Sequence, residues 1–106
     1  MSDVFKALAD PTRRKVLLLL RRRPMTAGEL SEHFAVSKPT MSAHFSVLRE
    51  AGLIDADKQG TTITYRLRLS VVQEALLGFS HALGIGAEEA GPAGKSARKL
   101  SKGKPL

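Results

Sequence analysis

Apolar residues recur three or four positions apart through the first half of the chain, then switch to every second position between residues 53 and 69. That change of period predicts a run of helices followed by a β-hairpin. Residues 2–9 put Val4, Phe5 and Leu8 on one helical face. "DPT" at 10–12 then offers Asp10 as an N-cap and Pro11 at the first helical position, where a missing N–H costs nothing. A second helix over 11–22 should bury Val16, Leu17 and Leu20 and end before Pro24. "TAGE" at 26–29 is a capping box in which Thr26 and Glu29 satisfy each other's backbone donors. It opens a short third helix whose inner face is Leu30 with Phe34. Only Ala35 and Val36 then separate that helix from Ser37, the expected cap of a fourth, along which Met41, Phe45, Leu48 and Gly52 form a buried stripe.

"LIDADKQGTTITYRLRL" follows, with Ile63, Tyr65 and Leu67 alternating against Thr62, Thr64 and Arg66. This is a hairpin pattern turning near "KQGT", where Gly60 supplies the permissive backbone and Lys58, Gln59, Thr61 and Thr62 lie at or near the tip. "SVVQ" at 70–73 reads as a second capping box, starting a last helix to about residue 83 with Val72, Ala75, Leu76, Phe79 and Leu83 in one stripe. The predicted order is α-α-α-α-β-β-α. It is a mainly α fold with a small β-hairpin, the plan of a winged helix-turn-helix.

Length and composition sharpen this picture in four ways. A chain of 106 residues holds one small domain. The absence of cysteine removes disulfides and thiolate metal sites and suits a cytoplasmic protein. The longest apolar run, residues 16–20, is far too short to span a bilayer, so no membrane insertion is expected. A net charge of +7 points to a polyanionic partner. The charge divides the chain: residues 1–86 form the expected folded domain, and 87–106 read as a flexible basic tail, either a solubilising end or an arm that touches phosphates.

The fourth helix has an unusual second surface. Lys38, Pro39, Ser42, Ala43 and Ser46 fall away from its apolar stripe, and most are short, whereas a solvated helix face is usually built from Glu, Lys and Gln. A helix that enters the major groove needs small or hydrogen-bonding side chains there, because bulk would hold its backbone away from the base edges. A hairpin directly after such a helix is a wing, whose basic, polar tip can rest on phosphates. The plainer reading is a helical hairpin with a serine-rich surface. The wide stripe on the last helix, with Val4, Phe5 and Leu8 on the first, suits either a twofold dimer or the closing of one chain's own core.

"VFKALADPTRRKVLLLL", "MTAGELSEHFAVSKPTMSAHFSVLREAGLI" and "KQGTTITYRL" together resemble the ArsR family of bacterial winged-helix repressors over about residues 3–83, and within it the metal-independent autorepressors. The resemblance implies a homodimer through the terminal helices, here Val4, Phe5, Leu8, Val72, Leu76, Phe79 and Leu83, and repression relieved by a signal the sequence does not identify. It implies base contacts from the early recognition helix, which corresponds to Ser37, Lys38, Pro39, Thr40, Ser42, Ala43 and His44. Wing contacts fall to Lys58, Gln59, Thr61 and Thr62. The implied partner is a double-stranded DNA operator with an inverted repeat. Ala43 departs from the longer polar residue often found at its place; it can touch a thymine methyl but cannot donate a hydrogen bond. His44, on the helix flank, is open to packing support as well as to DNA contact.

Metal sensing fits poorly: there are no cysteines, and His81 stands on the last helix with Glu74 nearly two turns away. No cofactor is expected. An enzyme is not expected either, since no nucleophile, phosphate-binding glycine loop or paired acidic motif is present. The readings that compete with a metal-independent repressor are a metal- or ligand-responsive sensor of the same family and a winged helix used for protein contacts.

Overall fold

The computed structural model describes residues 2–85, so the expected tail at 87–106 lies outside the described residues. Its elements are α1 (Ser2–Leu8), α2 (Pro11–Arg22), β1 (Met25–Thr26), α3 (Ala27–Ser31), α4 (Lys38–Glu50), β2 (Ile54–Gln59), β3 (Thr62–Leu67) and α5 (Leu69–Ala82). The chain divides into two units, Met1–Val72 and Gln73–Leu106.

In the first unit the helix starts follow from the caps. Asp10 accepts hydrogen bonds from the Thr12 and Arg13 amides at 2.7 and 3.1 Å, satisfying two of the orphan donors of α2. The capping box of α3 is complete, with Thr26 N–H donating to Glu29 at 2.8 Å and Glu29 N–H donating to Thr26 Oγ1 at 3.0 Å. Val16, Leu30, Met41, Leu48 and Leu53 are the largest fully buried side chains, with Leu17, Leu20, Phe45 and Tyr65 around them. Each such side chain contributes about 1.5–3 kcal/mol by leaving water. Phe45 and Tyr65 stack with ring centroids 4.7 Å apart, tying α4 to β3.

Four local expectations are corrected. The sheet has three strands, in the order β1-β3-β2, because Met25 and Thr26 pair antiparallel with Tyr65 and Thr64. Two residues after a proline carry too little alternation to announce a strand; the partner strand makes them one. The third helix stops at Ser31, because the His33 and Phe34 amides turn back to the Leu30 and Ser31 carbonyls in tight three-residue steps. Phe34 therefore sits in the turn, under the Lys15 ammonium 5.0 Å from its ring centre. Gly52 does not continue the buried stripe. At φ +78° it ends α4, its amide bonding the Arg49 carbonyl and the Leu53 amide the Leu48 carbonyl, with both leucines fully buried. Finally, α5 begins at Leu69, one residue early, with the Arg68 carbonyl accepting from the Val71 and Val72 amides. Ser70 lies inside the first turn rather than capping it.

The wing forms with the expected turn. Gln59 pairs with Thr62 across Gly60 and Thr61, and Gly60 takes φ +62°, as a two-residue hairpin turn requires at its first position. The second unit, as described, is the rest of α5 and its C-terminal turn, where Gly84 at φ +76° stops the helix. Leu76, Leu77, Phe79, Leu83 and Ile85 are each about half exposed or more. No helix among the described residues is long and apolar enough to cross a membrane.

Candidate nucleic-acid interface

The buried stripe of α4 fixes which of its residues face out. With Met41, Phe45 and Leu48 inward, Lys38, Pro39, Thr40, Ser42, Ala43 and Ser46 are all exposed. Ser37 is spent on the cap: its Oγ accepts from the Thr40 amide at 3.3 Å and donates to Thr40 Oγ1 at 2.9 Å. The exposed surface over the first two turns thus consists of one ammonium, two hydroxyls, a proline and a methyl group. No charged side chain of α4 other than Lys38 precedes Arg49.

The expected wing residues Lys58, Gln59, Thr61 and Thr62 are exposed together at the hairpin tip. Asp55 and Asp57 lie on the same strand as Lys58 but on its opposite face, by the period of two. Asp55 faces Arg68 at 3.9 Å. The residues expected at a dimer interface divide: Val4 is buried in the chain itself, Phe5, Leu8 and Val72 are half-buried, and Leu76, Phe79 and Leu83 are exposed. Leu18 and Leu77, at 68% and 65%, are the most exposed large apolar residues, and neither was expected from the sequence. Both sit in leucine runs, where a helical stripe cannot be told from its neighbours.

His44 does not stand free on the helix flank. It is half-buried, and its Nδ1 lies 3.2 Å from Arg13 Nη1. Arg13, at the start of α2, also donates from Nε to the Ala7 carbonyl at 2.8 Å and from Nη2 to the Lys6 carbonyl at 3.0 Å. Arg14 reaches the Leu8 carbonyl at 2.8 Å. "DPTRR" is therefore a double cap, Asp10 closing the start of α2 and the two arginines closing the end of α1. Only its first half is legible in the sequence, because nothing in the spacing shows an arginine reaching backward across a turn.

Among the described residues, three groups are shifted from their ordinary values. Partial burial raises the Asp10 carboxyl, but the Arg13 and Thr12 amides outweigh this, the Arg13 guanidinium lowers it further, and the net shift is downward. The Thr26 amide holds Glu29 low, against some desolvation and with help from Arg23, whose guanidinium is 3.5 Å away. Burial raises the Tyr65 phenol. A carboxyl lowered by folding stabilises the fold above its unfolded pKa, and that contribution is lost as the pH falls through the folded one. Asp10→Ala is accordingly expected to melt a few degrees below the wild type at neutral pH, with the gap closing below about pH 4. Thermal melts by circular dichroism across that range check it; a gap that does not narrow as the pH is lowered contradicts a cap made by the charged carboxylate.

Among the described residues, no three of His, Cys, Asp and Glu come together as a metal site would require. A cap-defined helix with a slim outer face, a helix-turn approach and a β-hairpin directly after it define a winged helix-turn-helix regulator. Residues 10–56 match the family model of bacterial regulatory proteins of the arsR family. The chain is 46% identical, over 72% of its length and 84% of the relative's, to the transcriptional repressor SdpR of Bacillus subtilis. It is 41% identical to the arsenic resistance transcriptional regulator ArsR1 of Pseudomonas putida, over 66% of this chain and 56% of that one. The crystal structure of another ArsR family transcriptional regulator superimposes with a TM-score of 0.69 at 36% identity, covering 78% of this chain and 88% of that one. The chain belongs to the ArsR family and is a transcriptional regulator, not an enzyme.

Proposed function

We propose that two copies of this chain bind an inverted-repeat operator in double-stranded DNA and repress transcription by occupying it, with no metal required. The observation that carries the reading is the exposed first half of α4, slim and weakly polar over a fully buried stripe. Lys38, Ser42 and Thr40 are the donors for base edges or nearby phosphates, Pro39 and Ala43 let the helix approach, and Ser37 holds its first turn. Lys58 at the wing tip, with Gln59, Thr61 and Thr62 beside it, supplies a sequence-independent phosphate contact. The exposed apolar residues of α5 support self-association, since a twofold pair covers them, and a pair carries one recognition helix for each half of an inverted repeat. The operon encoding the chain is the first candidate target.

The arsenic resistance relative makes metal response the competing reading. Zinc, nickel, cadmium and arsenite are expected to leave operator affinity unchanged within about twofold, measured by fluorescence anisotropy on a duplex the protein selects from a random pool. A tenfold or greater weakening, about 1.4 kcal/mol of coupling, contradicts metal independence.

A further inference from the structure

We infer that Arg13 is a positioning residue for the recognition helix, acting through His44 Nδ1; the inference rests on the DNA-binding reading above. Three acceptors on two helices converge on this one guanidinium: the Lys6 and Ala7 carbonyls at the end of α1 and the His44 ring on α4. The planar fork suits such a task. Its five N–H donors leave in fixed directions, so satisfying the two α1 carbonyls orients the third N–H toward α4.

The contact also dictates the state of the histidine. Arginine has no acceptor, so Nη1 and Nδ1 bond only when Nδ1 carries a lone pair, which puts the ring proton on Nε2. His44 is four residues from Thr40 and one from Ala43, and it borders the Met41, Phe45 and Leu48 stripe. The buried stripe sets which face of α4 turns outward, and a directional hydrogen bond at this place narrows the small rotation about the helix axis that remains. Rotation is what decides whether Lys38, Ser42 and Ala43 face the groove. Burial sets which face of the helix points out; Arg13 holds that face against small rotations. Because α1 is tied to the same guanidinium, a displacement of α1 also reaches the recognition helix through Arg13.

Two histidine replacements separate this role from a direct DNA contact by His44. The Asn side chain places its amide oxygen near the position of Nδ1 and can accept from Arg13, whereas Gln places its amide near Nε2 and leaves Arg13 without that acceptor. Full-length His44→Asn, His44→Gln, Arg13→Lys and the double variant Arg13→Lys/His44→Gln are compared with the wild type by anisotropy on the selected duplex. Circular dichroism and thermal melts confirm that the compared samples are folded. His44→Asn is expected to bind within about threefold of the wild type, while His44→Gln and Arg13→Lys each lose about tenfold or more. The double variant is expected to be no weaker than the worse single one, because both break the same link. If His44→Gln binds normally and His44→Asn does not, Nε2 touches DNA directly and the inference is overturned. It is equally overturned if the single losses multiply in the double variant, or if all four bind like the wild type. Failure of the wild type itself to retain any duplex defeats the DNA-binding reading instead, and is recognised before any variant is made.

Discussion

Ala43→Glu is expected to yield a folded, self-associating protein that no longer holds its operator. The position is exposed on α4, away from Met41, Phe45 and Leu48, so the substitution leaves the core intact. Glu is also a good helix former, and the loss of propensity relative to Ala is a few tenths of a kcal/mol. In the groove the same change is severe. It sets a carboxylate and three extra heavy-atom positions of reach where a methyl group let the backbone approach, against a phosphate-rich surface. Like charges so placed cost several kcal/mol, which is on the order of a hundredfold or more in affinity. Anisotropy on the selected duplex, with sedimentation and circular dichroism on the same sample, reads all three properties. Normal binding by Ala43→Glu shows that this face does not lie in the groove.

Leu48→Ala carries the second large effect, and acts on the fold. Leu48 is fully buried, and its carbonyl accepts the Leu53 amide at 3.0 Å where α4 ends. Truncation removes a fully buried side chain and is expected to leave a cavity beneath the recognition helix. Large-to-small replacements of this kind cost about 2–5 kcal/mol, a substantial part of the roughly 5–15 kcal/mol that holds a domain folded. Urea denaturation at fixed protein concentration measures it; the concentration is held because self-association would add to the apparent stability. A loss below about 1 kcal/mol contradicts the packing described for α4.

Much of this architecture can be read from local chemistry. Asp10, Thr26 and Ser37 each cap the helix that the sequence places after them, because capping is decided within three or four residues. The alternation of Ile63, Tyr65 and Leu67 reports β3 correctly for the same reason. What escapes is non-local. Met25 and Thr26 become a strand only because Tyr65 and Thr64, some forty positions later, pair with them. Arg13 looks like one more surface arginine until α1 and α4 are seen to converge on it. Gly52 fits the helical spacing of Met41, Phe45 and Leu48, yet its positive φ takes it out of the helix. Period alone does not separate the last residue of a stripe from the glycine that ends it. The candidate interface was legible at the level of which face is slim. The bond that holds His44 against α2 was not, since the sequence leaves both flanks of the helix open to it.

In the proposed function, α4 and the wing of a paired regulator read a specific duplex. Wild-type affinity for the selected duplex and for a random one, measured across a series of salt concentrations, tests it most directly. The account predicts binding to the selected duplex at least about a thousandfold tighter than to the random one, with log affinity falling linearly as log salt rises. Equal, weak affinity for both duplexes, or no retention of either at moderate ionic strength, contradicts it.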